Sequence, residues 1–301
     1  VINAILFLLV GGDGWFLCGS VFLAAAAADC CGALDAPGRF RAGLRRALHF
    51  LLVLAMPLAA LTGTPLPLWS AVPLLVAAPA YAFAGWGHAD RRVRIGLAAA
   101  AGACVLLALL LELPHRIPPS PPTGRPQRLI VVADSLSSGG YGERMAWPEI
   151  LAAEGLPVRD LSMDGATVGT ALQHKIPVVR REARPGDWVL VELGGNDMLG
   201  NTGPDEFAGQ LDRLLAELRG DPAAPRTVVM MELPVPLGQW AFGRHQRELA
   251  ARHGVVLIPK RVLAGVLLAD GHTGGDRIHL TQAGQDALAA ALRPWLGLAT
   301  E

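Results

Sequence analysis

The chain has 301 residues, a formal net charge of zero and 52% hydrophobic residues. Balanced charge excludes a nucleic-acid partner, whose phosphates call for a surplus of Lys and Arg gathered on one face. The apolar excess falls almost wholly before residue 114, which divides the chain into a membrane part and a second part of ordinary composition.

Four apolar stretches, 2–28, 48–61, 66–86 and 95–113, predict an all-α region of about four transmembrane helices over 1–113. A helix needs ~20 mostly apolar residues to cross a bilayer, so the third and fourth stretches are long enough and the second is short. A large buried helical core is the alternative. Long Ala/Leu runs with arginines confined to the gaps argue against it. A cleaved secretory leader is not expected, because the start lacks basic residues and further apolar stretches follow. The first stretch is interrupted by Gly11-Gly12-Asp13-Gly14. A charge inside a bilayer is expensive, so Asp13 is either functional or sits in an aqueous break of the span, and its glycine neighbours favour the break.

Arg39, Arg41, Arg45 and Arg46 lie between the first two stretches, Arg91, Arg92 and Arg94 between the last two, and the "TGTPLP" turn between the second and third has none. The positive-inside rule then places both arginine loops in the cytoplasm. This predicts an integral protein of a plasma or bacterial inner membrane, with everything after the fourth span outside the cytoplasm. Cys18, Cys30, Cys31 and Cys104 all fall in the membrane part and are expected to be packing residues, since none has metal-ligand spacing with histidine. The second part has no cysteine and therefore no disulfide.

Residues 114–126, "PHRIPPSPPTGRP", hold six prolines in thirteen positions. Such a segment reads as an extended spacer of roughly 40 Å at most. From 127 to 301 the pattern changes to short apolar runs alternating with helical patterns. Strands are predicted over 129–133, 158–163, 188–193, 227–233 and 255–258, and helices over 147–154, 167–182, 205–219, 240–253 and 282–296, with Thr281 capping the last. Alternation of this kind implies a central parallel sheet of about five strands between two layers of helices.

In open parallel sheets, sites form beyond the carboxyl ends of the strands. Asp134-Ser135 follows the first predicted strand, "DGAT" (164–167) the second and "GGND" (194–197) the third, while "DRIH" (276–279) precedes the last helix. A serine hydroxyl becomes a nucleophile when a base takes its proton and a carboxylate orients that base. Ser135, His279 and Asp276 supply those three groups. The oxyanion that develops needs donors already aimed at it, for which the N–H groups of Ser135 and Gly165 and the amide of Asn196 are candidates.

These four blocks together resemble the SGNH (GDSL-type) hydrolase family, over about residues 127–297. "ADSLSSG" is similar to the family's first block and puts its nucleophile on Ser135; "DGAT" is similar to the glycine block and implies an oxyanion donor at Gly165. "GGND" carries the amide donor to Asn196, and "DRIH" implies Asp276 and His279 as carboxylate and base. The stretches "ADSLSSG…GYG…WP" and "ELGGNDML" look nearest to the lysophospholipase, arylesterase and thioesterase branch. The resemblance implies a flavodoxin-like three-layer α/β/α domain and a carboxylic ester hydrolase with no cofactor and no metal. Ala133 replaces the family's leading glycine, and an Asn often found before the second-block glycine is absent.

Other residues receive plainer readings. Asp134 and Asp197 are expected to hydrogen-bond within their turns. His272, in "ADGHTGGD", competes with His279 for the role of base, but a glycine-rich loop fixes a side chain poorly. His174, His245 and His253 fall on helical patterns and are expected to face solvent. Met198, Leu199, Pro236, Leu237 and Trp240 follow strand ends and either line an acyl pocket or pack loops. The substrate expected is a small-molecule or lipid ester or thioester. With the same site, an acyltransferase or a deacetylase of a cell-envelope glycan or lipid is the alternative, and a non-catalytic binding module is the third. The sequence implies no oligomeric state.

Overall fold

A computed structural model describes residues 2–33, 39–62, 64–85, 89–117, 120–236 and 238–298. Contacts divide the chain into two units: Leu8–Ile117 with Pro236–Trp240, and Val1–Phe7 with Pro118–Val235 and Ala241–Glu301. Trp86, expected to end the third apolar stretch, and Leu237 lie outside the described residues.

The N-terminal stretch contains α1 (Ile2–Val10), α2 (Asp13–Cys30), α3 (Arg39–Leu61), α4 (Leu68–Ala84) and α5 (Arg91–Arg116). The break between α1 and α2 falls at Gly12, whose φ of 93° admits glycine without steric cost. Asp13 opens α2, where the helix dipole favours a negative charge, and pairs with Arg116. Arg116 in turn lies 4.8 Å over the Phe16 ring. Among the described residues, three helical segments, Asp13–Cys30, Ala42–Ala59 and Arg91–Arg116, are long and apolar enough to cross a membrane. The expected lengths are corrected at two places. The second stretch, thought short, lies in a helix of 23 residues, and the third gives a helix of only 17. Pro67 delays the start of α4 and Gly85 ends it, leaving it at the lower limit for a span. Helix α5 also runs through Pro114 to Arg116, into the first residues of the proline-rich segment.

Four helices of this unit meet at one carboxylate. Asp29 of α2 accepts from Tyr81 Oη of α4 at 3.0 Å and from Arg94 Nε of α5 at 3.1 Å, and contacts His49 Nε2 of α3 at 3.3 Å. All four side chains are buried. A buried charge without partners would cost several kcal/mol, roughly 3–5 kcal/mol when one member of a pair is removed, and here three partners surround the carboxylate. The reading of the cysteines as packing residues holds for Cys18, which is buried, and is corrected for Cys30, the last residue of α2, and Cys31, its C-cap, which are both exposed.

The second unit carries β1 (Arg128–Ala133), α6 (Ser135–Ser138), α7 (Trp147–Ala153), β2 (Val158–Asp160), α8 (Val168–His174), α9 (Ile176–Glu182), β3 (Asp187–Glu192), α10 (Gly195–Leu199) and α11 (Pro204–Arg219). It continues with β4 (Thr227–Met231), α12 (Trp240–His253), β5 (Val256–Ile258), α13 (Lys260–Leu267), α14 (Gln282–Leu292) and a 3₁₀ turn over Arg293–Leu296. The sheet is parallel throughout, in the order β2-β1-β3-β4-β5. Successive strand side chains alternate between faces. Ile130, Val132, Val189, Val191, Val228 and Met230 face a core with Phe207, Leu211, Leu214 and Leu218 of α11. Leu129, Val131, Leu190, Val229 and Met231 face Trp147 and Leu151 of α7, Leu263 of α13 and Leu288 of α14. Both faces are therefore dry, which is why the strands read as continuous apolar runs.

The chain order reverses direction across the sheet between β1 and β3, and such a switch point opens a crevice at the strand ends. The helix predicted over 167–182 is two helices, divided at Lys175 because Pro177 lacks an N–H and its ring clashes with the preceding turn.

Candidate active site

Strand β1 delivers Asp134 in extended conformation, and the chain turns at once into α6. The Asp134 side chain accepts the Leu136 N–H at 3.0 Å, capping that turn and holding Ser135 at the rim of the sheet. The residues of "DRIH" form a tight loop in which Asp276 Oδ1 accepts the N–H groups of Ile278 at 3.0 Å and His279 at 3.1 Å. Arg277 takes a left-handed φ of 59° there, a conformation rare for a residue with a Cβ and one the surrounding bonds must hold.

His279 Nδ1 donates to Asp276 Oδ2 at 2.6 Å, and Ser135 Oγ donates to His279 Nε2 at 3.1 Å. A carboxylate only accepts, so the ring proton belongs on Nδ1 and Nε2 is left as the acceptor for the serine. The backbone N–H of Ile278 and the bonds from His279 hold the Asp276 carboxyl down at about 2. Its charge is thus present throughout the neutral range.

Asn196, on α10 beyond β3, reaches the same place, but both hydrogens of its amide are engaged: Nδ2 donates to Asp134 Oδ2 at 3.2 Å and to the Ala166 carbonyl at 3.1 Å. Gly165 has φ 65° and a Cβ there would meet nothing, so glycine is required by backbone direction and not by space. The N–H groups of Ser135 and Gly165 have no acceptor among the described residues.

Several residues at this site were not anticipated from the sequence. Glu192 ends β3 buried, accepts from Ser137 Oγ at 3.1 Å and lies against Asp134; Ser137 Oγ in turn accepts from Trp147 Nε1 at 2.9 Å. Burial, and then the Asp134 charge, push the Glu192 carboxyl well above the ordinary carboxylate range. Burial at this position thus favours the uncharged carboxyl. The signal was a glutamate inside the apolar run "VLVELGG". Gln285 of α14 accepts from the Trp147 N–H at 2.9 Å and donates to the Leu136 carbonyl at 3.3 Å, tying the last helix to the serine turn. Tyr141 lies flat on the His279 ring.

The raised Glu192 value carries a pH dependence. The folded chain binds more protons than the unfolded one at this position, so stability falls as pH rises from ~4.3, the ordinary Glu value, through the folded value. Gln in its place keeps an acceptor for Ser137 and cannot ionise. Thermal melts of Glu192→Gln and wild type from pH 4.5 to 8 should show the variant gaining relative stability as pH rises; a difference that is flat or reversed across that range contradicts the reading.

The plainer readings divide. Asp134 caps its turn, and the buried Asp197 accepts the Val168 N–H at 3.0 Å, linking the end of β3 to α8. His174 is exposed, whereas the solvent-facing expectation is corrected for His245 and His253, only 19% and 18% exposed at the side chain. His253 bonds Asp212 at 2.7 Å and His245 lies 3.6 Å from Glu248, so acidic partners draw both inward. No group of three or more His, Cys, Asp or Glu suited to a metal exists among the described residues.

A family model described as the GDSL-like lipase/acylhydrolase family matches residues 134–287. The thioesterase 1/protease 1/lysophospholipase L1 of Escherichia coli strain K12 is 31% identical over 138 residues, which is 44% of this chain and 65% of that protein's length. Esterase TesA of Pseudomonas aeruginosa is 31% identical over 180 residues, 56% of this chain and 88% of its own length. A crystal structure of TesA superposes with a TM-score of 0.50 at 28% identity, covering 56% of this chain and 98% of that one.

Proposed function

The chain belongs to the GDSL-like lipase/acylhydrolase family, and on that footing we propose that it is a membrane-anchored serine hydrolase of carboxylic esters or thioesters. The observation that carries this reading is the relay of Asp276, His279 and Ser135, with links of 2.6 and 3.1 Å. Ser135 Oγ attacks the carbonyl carbon as its proton passes to His279 Nε2, and Asp276 holds the imidazole in the required tautomer. His279 then returns the proton to the leaving oxygen or sulfur, and water repeats the sequence to release the acid.

The N–H groups of Ser135 and Gly165 and the amide of Asn196 are the donors for the tetrahedral oxyanion. For Asn196 to serve, one of its present bonds has to yield. The bond to the neutral Ala166 carbonyl is weaker than the charge-assisted one to Asp134, so it is the one exchanged. The helices over residues 1–113 are assigned as the anchor, residues 114–126 as the spacer and 127–301 as the hydrolase domain. The arginines at 39, 41, 45, 46, 91, 92 and 94 favour a cytoplasmic face for the two loops that carry them, and hence an extracytoplasmic hydrolase domain.

A graded panel of nitrophenyl esters and an acyl thioester, run on the full chain in detergent alongside a fluorophosphonate probe, tests the proposal. Turnover with stoichiometric labelling is the expected result. A folded chain that neither turns over any member nor reacts with the probe overturns it.

A further inference from the structure

The His279 ring is hydrogen-bonded at both nitrogens, Nδ1 to Asp276 and Nε2 to Ser135. Those two bonds and the Cβ–Cγ tether hold the ring, and what packs on its faces resists its turning further. The loop that carries the ring offers little, since Asp276, Arg277 and Ile278 are all exposed. Tyr141 covers one face: the ring centroids are 3.5 Å apart and the planes meet at 7°.

The tyrosine is delivered there by backbone built for the purpose. Gly139, Gly140 and Gly142 take φ values of 75°, 99° and 104°, and a Cβ at Gly140 or Gly142 would meet nothing within 4 Å. Those two glycines therefore serve chain direction and not close packing. The Tyr141 N–H is held by Glu143 Oε2 at 2.8 Å. The side chain itself is 44% exposed, so it serves no core. Loss of solvent, and then the Asp164 carboxylate beside it, raise the phenol above its ordinary value and keep the ring uncharged.

We propose that Tyr141 is a positioning residue for the reaction: its ring clamps one face of the His279 imidazole and favours the protonated ring formed when Ser135 gives up its proton. The face of an aromatic ring is electron-rich and attracts a cation set against it, more than it attracts the neutral ring. An interaction stronger after proton transfer than before it lowers the barrier, whereas one equal in both states does not. The inference rests on the hydrolase reading above.

The test uses Tyr141→Phe, Tyr141→Leu and Tyr141→Ala in the full chain, with kcat and KM for a short-chain nitrophenyl ester and a thermal melt for each. Phe keeps the aromatic face and should stay within about twofold of wild type. Leu keeps the cover without the aromatic face, and Ala keeps neither; both should lose about tenfold in kcat at nearly unchanged KM, the scale expected of a slightly misplaced catalytic group. Wild-type kcat in the Ala variant overturns the inference, as does a Leu variant equal to Phe, or a Phe variant as poor as Ala. Should the Ala variant fail to fold, the comparison of Leu with Phe decides alone. A wild-type chain without turnover instead overturns the hydrolase reading and this inference with it, so the two failures are distinguishable.

Discussion

Replacing Ser135 by alanine should remove hydrolysis of a short-chain nitrophenyl ester by about 10⁴-fold or more while leaving the fold intact. The loss is large because the covalent route disappears and only binding and the oxyanion donors remain to assist water. The neighbouring hydroxyls cannot take over. Ser137 is buried and committed to Glu192 and Trp147, and Ser138 is bonded to Asp164. The fold should survive because the cap of α6 comes from Asp134 and not from Ser135, and the serine hydroxyl bonds His279, a residue of an exposed loop. Initial rates together with a thermal melt check both halves. A folded Ser135→Ala chain that keeps more than a percent of wild-type turnover removes Ser135 as the nucleophile.

Asp276→Asn is expected to cost about 10³- to 10⁴-fold in kcat with little change in KM. The reason is particular to this loop. Asp276 Oδ1 already accepts two backbone N–H groups, those of Ile278 and His279, so an asparagine at 276 would place its oxygen there and turn its NH₂ toward His279 Nδ1. A donor facing Nδ1 drives the ring proton to Nε2, the atom that has to receive the proton of Ser135. The carboxylate is also held at about 2, chiefly by the Ile278 N–H, so it remains charged wherever activity is measured. A depressed value means stability that is present above the ordinary carboxylate value of ~3.9 and is lost as pH falls through about 2. Loss of activity between pH 8 and 5 is therefore not the titration of Asp276. Steady-state kinetics at pH 8 decide the matter: an Asp276→Asn variant within tenfold of wild-type kcat shows that the carboxylate does not set the tautomer.

Separation along the chain decides which contacts are legible in the sequence. The pairing of Asp276 with His279 is three residues long and visible in "DRIH" as a local turn. The pairing of His279 with Ser135 spans 144 residues, and it is expected from the place of each motif at a strand end or helix start together with the family resemblance of the four blocks. Helix α13 is not legible in the sequence because eight residues after Pro259 give too short a period to separate from a loop, and α6 and α10 are shorter still. The division between α8 and α9 was readable in principle, since Pro177 stands in the middle of the pattern.

The amino-acid sequence by itself determined the local properties: apolar runs buried on both faces, helices with one apolar side, polar clusters where strands end, and the long apolar helices of the first third. Those follow from periodicity and composition over a few neighbouring residues, so no partner elsewhere in the chain has to be known. Only the tertiary structure decided that the Asn196 amide is engaged by Asp134 and Ala166, that Glu192 lies buried against Asp134, and that Tyr141 rests on the imidazole. Each of these depends on side chains brought together from separate strands and loops, where burial and the chemistry of the opposite group set the outcome. Sequence spacing carries no record of such distances.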